Sequence, residues 1–181
     1  MSDKYYVWSG SITNAHDVYV LAIGNPLAAT LDAASLEYAM GSRIIIHDLR
    51  IINTAVGAVT GVAVEYVILK TTGAITGTEL TPVPADSGAP ALLHALVTCD
   101  HTATVTAAST LLSVYTNNEE AAATAGAMEA SLLAGRNLLP TPIVCRNGHG
   151  LAVKLETNTT VGTSAVLAII EYIMEGGKHG S

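Results

Sequence analysis

The stretch Leu151-Ala-Val-Lys-Leu-Glu156, followed by Asn158-Thr-Thr-Val-Gly-Thr163 and Val166-Leu-Ala-Ile-Ile-Glu-Tyr-Ile-Met174, decides the fold. Leu151, Val153 and Leu155 alternate with Ala152, Lys154 and Glu156, the period of two that marks a half-buried strand. The Asn/Thr/Gly run then turns the chain. Val166, Ala168, Ile170, Tyr172 and Met174 form one face of a closing strand whose other face carries Glu171. A one-residue slip would bury Glu171 and expose five apolar groups, so this register is expected to be firmly set. Just upstream, Pro142-Ile-Val-Cys-Arg146 reads as an extended lead-in. Asn147-Gly-His-Gly150 reads as a tight turn with two residues able to take positive φ.

Toward the N-terminus the same signals continue. Arg43 to Asn53 is β-branched, Thr54 to Gly61 supplies turn residues, and Val62 to Lys70 is a second strand. Together they predict a long hairpin, and the apolar residues on both faces of 62–70 predict that this strand lies centrally. Thr71 to Pro90, rich in Thr, Gly and Pro, reads as a long crossing from one sheet to another, as in a Greek key. Shorter strands are expected at 92–98 and 110–116. Two stretches carry helix signals. Asn25-Pro26 precedes Leu27, Leu31, Ala34 and Tyr38 with Gly41 beyond. Asn118-Glu-Glu-Ala-Ala-Ala-Thr124 opens in the same way, with Gly135 and Arg136 as stop signals. Each predicts a short helix or an irregular loop.

Composition narrows the function. Hydrophobic residues make up 50% of the 181, yet aromatics are only 4% and Phe is absent. Charged residues reach 13%, where about 25% is usual. One domain of this length buries roughly 70% of its unfolded surface, enough for a core without staples. A surface this short of charge predicts a permanent oligomer or a larger assembly. The net charge of −7 comes from 15 acids against 8 scattered bases, which argues against direct nucleic-acid binding. The opening Met-Ser-Asp-Lys-Tyr-Tyr-Val-Trp lacks the apolar core of a signal peptide, and no apolar run approaches the ~20 residues of a membrane helix. The expectation is a soluble protein made in a cytoplasm, without a membrane partner. Cys99 and Cys145 form no disulfide framework, and their spacing leaves open whether they pair.

Candidate chemistry is sparse. The histidines at 16, 47, 94, 101, 149 and 179 include no metal-binding spacing. In Cys99-Asp100-His101, strand alternation lets Cys99 and His101 share a face but not Asp100, so a polar strand end is the simpler reading. His47 shares the alternation of Ile45, Leu49 and Ile51 and is expected to be hydrogen-bonded in a core or interface. His149 has no Gly-x-Ser-x-Gly elbow beside it. Nothing selects a catalytic pair from Asp86, Asp100, Glu119 and Glu120. Thr72-Gly-Ala-Ile-Thr-Gly-Thr78 lacks the Lys-Ser/Thr of a phosphate loop. Asn158-Thr-Thr160 matches a glycosylation sequon, which means little without a secretion signal. No catalytic residue, cofactor or metal is therefore expected. Tyr5, Tyr6 and Trp8 form an aromatic N-terminal patch of the kind favoured at interfaces; packing of a first strand on its own core is the competing reading.

Gly77-Thr-Glu-Leu-Thr-Pro-Val-Pro-Ala-Asp-Ser87, followed by Pro90-Ala91, resembles small structural proteins of tailed-bacteriophage particles, in which a Gly-Thr-x-Leu-Thr-Pro stretch follows a central hairpin. Leu139-Pro140, the turn Asn147-Gly-His-Gly-Leu151 and the ending Glu171-Tyr-Ile-Met-Glu175 look similar as well. The resemblance spans residues 43 to 175; residues 1 to 42 match less well and the Ala-rich 119–134 segment departs from it. It implies an all-β, jelly-roll-like antiparallel β-sandwich with at most one or two short helices. Residues 1–42 are then expected as an N-terminal arm or inter-subunit contact on a core of residues 43–181. The implied function is that of a non-enzymatic virion protein, first of all a capsid cement or head decoration protein. Its implied partners are itself, as a homotrimer, and the major capsid or other virion proteins. The alternative is a carbohydrate- or receptor-binding jelly-roll module of a phage tail or fibre. A cupin-type metal enzyme is a third class, which needs converging histidines that the spacing does not offer.

Overall fold

A computed structural model describes residues 3–13, 17–26, 42–55, 62–118, 128–131, 142–156 and 163–174. Thirteen strands are present among them: β1 (Lys4–Trp8), β2 (Ile12–Thr13), β3 (Val18–Gly24), β4 (Ser42–Ala55), β5 (Val62–Thr72), β6 (Ile75–Glu79), β7 (Val83–Pro84), β8 (Thr98–Val105), β9 (Ala108–Asn118), β10 (Met128–Ser131), β11 (Ile143–Arg146), β12 (His149–Leu155) and β13 (Thr163–Met174). They form two antiparallel sheets. Sheet A runs β10-β4-β13-β1-β7, with β11 also on β4 and β2 on β13; sheet B runs β6-β8-β3-β12-β5-β9.

The pairings nest. β1 pairs with β13, β3 with β12, β4 with β10 and β11, and β5 with β9. The chain is thus one long hairpin, rolled so that successive strands of each arm fall in opposite sheets. The main-chain order β1-β13-β4-β10 facing β3-β12-β5-β9 is that of a jelly roll. The all-β sandwich predicted from the alternating aliphatics is therefore present, and no described residue is helical.

Rolling also overturns the hairpin expected from 43–70. β4 lies in sheet A and β5 in sheet B, so the two strands do not pair as a hairpin; residues 56–61, which hold most of the expected turn, lie outside the described residues. β5 does lie inside its sheet, between β12 and β9, with Tyr66 and Ile68 in the core and Val67 and Leu69 buried on its outward side. The Asn147–Gly148 turn is likewise a crossing, from β11 in sheet A to β12 in sheet B, and Gly148 takes a φ of 76°. Between the sheets, Leu21, Ile23, Ile44, Ile46, Leu49, Ile51, Leu151, Val153, Leu155, Val166 and Ile170 interlock in one core.

The excursion between β5 and β9 closes one side of the sandwich. β6 and β8 extend sheet B beyond β3, while β7 caps the β1 edge of sheet A, where Pro84 needs no ladder donor. The crossing expected over 71–90 is real, but it carries these two short strands. Gly77 lies against the β8 bulge at Thr102, where an added Cβ would meet Ala103 Cα and the His101 carbonyl oxygen at 2.8 Å. The strand expected at 92–98 starts only at Thr98. Leu92 and Val97 instead plug the sandwich side from a turn, with the Leu96 and Val97 N–H groups donating to Leu93 O.

Two further expectations change. Residues 27–41, 119–127 and 132–141, where most of the helix signals fall, lie outside the described residues. Met128–Ser131, inside the second signal, is a strand covering the Arg50–Asn53 edge of β4, an edge that would otherwise stay open. The division at residue 42 matches no structural boundary: β1 is interior to sheet A and β3 to sheet B, because their apolar faces supply Tyr5, Val7, Leu21 and Ile23 to the common core.

Candidate functional site

Three adjoining rungs build the outward face of sheet A. Directly opposite residues share a face, so the first rung is Val83–Tyr6–Ile169–Asp48. The second is Trp8–Leu167–Arg50, and the third is Lys4–Glu171–Ile45–Val144. Tyr6 and Trp8 remain 43% exposed, Val83 59% and Val144 44%, while Ile45, Leu167, Ile169 and Ile173 are half-buried. Large apolar side chains thus dominate a face that strand alternation would ordinarily give to solvent.

Of the predicted aromatic trio, the structure brings Tyr6 and Trp8 together on this face and turns Tyr5 away. Tyr5 points into the core and donates its hydroxyl to Pro90 O at 3.1 Å; burial, with Asp3 nearby, pushes its pKa up. Neighbours on a strand cannot share a face, so Tyr5 anchors the strand that displays the other two.

A polar strip crosses the apolar face, and a bulge creates it. Ile170 pairs with Ile46 but Ile169 with Asp48, leaving His47 as the extra residue of β4. The bulge switches the inward set from Ile44 and Ile46 to Leu49 and Ile51, so His47 does not share a face with Leu49 and Ile51 as alternation predicted. His47 Nε2 lies 2.6 Å from Glu171 Oε2. Arg50 Nε donates to Asp48 Oδ2 at 2.6 Å, and the Leu49 N–H donates to Asp48 Oδ1 at 2.9 Å. Asp48 and Glu171 are 5% and 8% exposed. Glu171 is therefore already buried on its outward side, shielded by its neighbours and held by His47. Sequence reasoning missed Asp48, Arg50 and the His47–Glu171 pair because nothing local announces a bulge.

The outward face of sheet B is different. A shallow groove of about 440 Å³ runs over Tyr19, Glu65, Val67, Lys154 and Glu156. Lys154 bonds Asp17 and Glu156, which hold its pKa above the usual range, and its ammonium lies 5.9 Å from the Tyr19 ring centre. Tyr115, 62% exposed, bonds Glu65, which raises the phenol pKa.

The remaining candidates do not converge. His94 Nε2 meets Asp100 Oδ1 at 2.8 Å and ties the 91–97 turn to β8. Cys99 faces the core while Asp100 faces the other way. Both cysteines are free and buried. Burial raises both thiol pKa values, that of Cys145 to about 12 against a smaller opposing effect of Lys70, so neither is poised as a nucleophile. Among the described residues no three His, Cys, Asp or Glu side chains gather as a metal site would need. Asp86 accepts from the Gly88 N–H at 2.9 Å in an exposed turn. His16, Glu119, Glu120, the 158–160 sequon and His179 lie outside the described residues. No family model, curated protein or solved structure matches the chain.

Proposed function

We propose that this chain is a non-enzymatic structural protein of a tailed-phage particle, a capsid cement or head decoration protein that acts as a homo-oligomer. The observation that carries the reading is the outward face of sheet A, which a second copy of the chain would cover. Its eight large apolar side chains leave on the order of 400–600 Å² open, a large part of the roughly 800 Å² per partner of a stable interface. A closed ring of copies would remove that area from water while the net charge of −7 keeps the assembled surface soluble. The resemblance at Gly77–Ser87 supplies the particle context.

Sedimentation velocity on the purified chain tests this reading, together with co-sedimentation with phage heads. A single species at three times the 18.6 kDa chain mass, retained on heads, is the expected result. A monomer at micromolar concentration that ignores heads would overturn it. The groove on sheet B favours one second reading, a carbohydrate-binding module, because Tyr19 and Tyr115 flank paired polar groups there. A glycan-array signal lost in Tyr19→Ala and Tyr115→Ala would promote that reading over the first.

A further inference from the structure

A second surface concentrates positive charge in this acidic chain. Where β11 crosses to β12, a cleft of about 220 Å³ is lined by Lys70, Cys145, Arg146 and His149, with Ile143 and Val144 as its apolar wall. Lys70 continues the inward column of Tyr66 and Ile68 on β5, and His149 continues that of Leu151 and Val153 on β12. Both positions have core alternation, yet both carry a basic group at the mouth between the sheets. From the opposite sheet comes Cys145, whose thiol feels the Lys70 ammonium. Neither Lys70 nor Arg146 has a side-chain partner among the described residues, whereas Arg50 and Lys154 are engaged by carboxylates.

The cleft is also rigidly held. Asn25, only 2% exposed, donates its side-chain amide to Ser42 O at 3.0 Å and Cys145 O at 3.5 Å, and accepts from the Ser42 hydroxyl at 3.1 Å. Its main chain closes on the crossing: the Asn25 N–H donates to His149 O at 3.0 Å, and the Gly148 N–H donates to Asn25 O at 2.8 Å. Gly150 leaves no room for a side chain, since a Cβ there would sit 2.4 Å from Ile23 O. The basic groups therefore stand on strand ends held in place by these contacts, so an anion entering the cleft would meet donors that are already positioned.

We propose that this cleft binds a phosphate-class oxyanion. Its volume is below the ~300 Å³ where sites for drug-sized ligands begin, so it suits an anionic group rather than a whole nucleotide or sugar. Arg146 supplies a planar fork for two oxygens, Lys70 a point charge, and His149 a ring N–H. The inference does not depend on the particle reading.

Calorimetric titration of the full chain with inorganic phosphate at low ionic strength tests it. Saturable one-to-one binding is expected, weakened roughly tenfold or more in Arg146→Gln and in Lys70→Gln, and unchanged in Lys4→Gln, which lies on β1, separated from β11 by β4 and β13. Arg146 is exposed, so its substitution leaves the fold intact and decides the matter even if Lys70→Gln proves unstable. Titrating phosphoserine in parallel separates the sources: tighter binding than inorganic phosphate identifies a phosphorylated protein, weaker binding the free ion. No saturable heat, equal affinity in the Arg146→Gln variant, or an equal response to acetate would overturn the proposal.

Discussion

Replacing Tyr6 and Trp8 together by serine tests whether the outward face of sheet A is an interface. Both rings are 43% exposed, so each keeps somewhat less than half its surface open. An aromatic side chain presents about 150–250 Å², which leaves roughly 65–110 Å² of each ring for a neighbouring copy to cover. At about 25 cal/mol per Å², that is about 2 kcal/mol per ring and about 4 kcal/mol for the pair. Since each 1.4 kcal/mol is a decade, the double variant should dissociate with a Kd about a thousandfold higher than the parent. A dilution series in the analytical ultracentrifuge measures this directly. The buried part of each ring, roughly 85–145 Å², also contributes about 2–4 kcal/mol to the fold, so dissociation is compared at a temperature where circular dichroism shows the variant still folded. Leu93→Ser is the control: Leu93 is 62% exposed, more than either ring, but belongs to none of the three rungs. If exposure alone drove association, Leu93→Ser would weaken it most. A Kd that moves less than threefold in the double variant, or equally in the control, would refute the assignment.

Three further outcomes follow from the geometry. Leu151→Ala, at a position 2% exposed in the core, should cost about 2–5 kcal/mol in urea unfolding; a loss below 1 kcal/mol would mean the sheets are not packed as described. Gly150→Ala forces a methyl to within 2.4 Å of Ile23 O and 2.5 Å of Thr71 Oγ1, and should lower stability by about 1–3 kcal/mol, read as a lower Tm. The thiol of Cys145, raised from 9.0 to about 12 by burial, stays protonated in the fold after it has ionised in the unfolded chain. Its contribution is therefore complete below about pH 9 and falls by about 1.4 kcal/mol per pH unit above it, up to about pH 12. Cys145→Ala should flatten the pH dependence of unfolding free energy between pH 9 and 10 by that slope, and an unchanged slope would count against a buried thiol.

Strand content was readable because alternation is local. Leu151, Val153 and Leu155, and Val166, Ala168 and Ile170, declare their faces without reference to any partner, and both sets are core. Partner choice is not local, which is why β4 and β5 read as a hairpin although the roll sends them to different sheets. The Leu92–Val97 run failed for a related reason. Leu92 and Val97 are buried from a turn that plugs the sandwich side, and burial alone does not distinguish a plug from a strand. At His47 one extra residue inverts the alternation for the rest of β4, and no composition signal marks it. Two of the eight large apolar side chains of the candidate face, Tyr6 and Trp8, are legible in the sequence, while Val83, Ile169 and Val144 join them only through pairing.

The bulge also bears on how a face so apolar could remain selective. Without His47 as an extra residue, β4 would alternate regularly from Ile44 to Ile51 and would offer one outward position where it now offers two, His47 and Asp48. Those two, with Arg50 and Glu171, place two carboxylates, an imidazole and a guanidinium amid Tyr6, Trp8, Leu167 and Ile169. A flat apolar face would bind any greasy surface in many registers. Here a covering chain that slid by one rung would seal the half-exposed His47 and Arg50 side chains under apolar groups and strip them of water, which costs several kcal/mol unless new hydrogen bonds replace it. In the proposed interface the apolar rungs would supply affinity, and the strip they enclose would restrict it to one alignment. Replacing His47 and Glu171 together by leucine, with one substitution accompanying the other so that no carboxylate loses its partner, should therefore keep or tighten association while broadening a single sedimenting species into several. A double variant that retains one sharp species would assign register to shape alone.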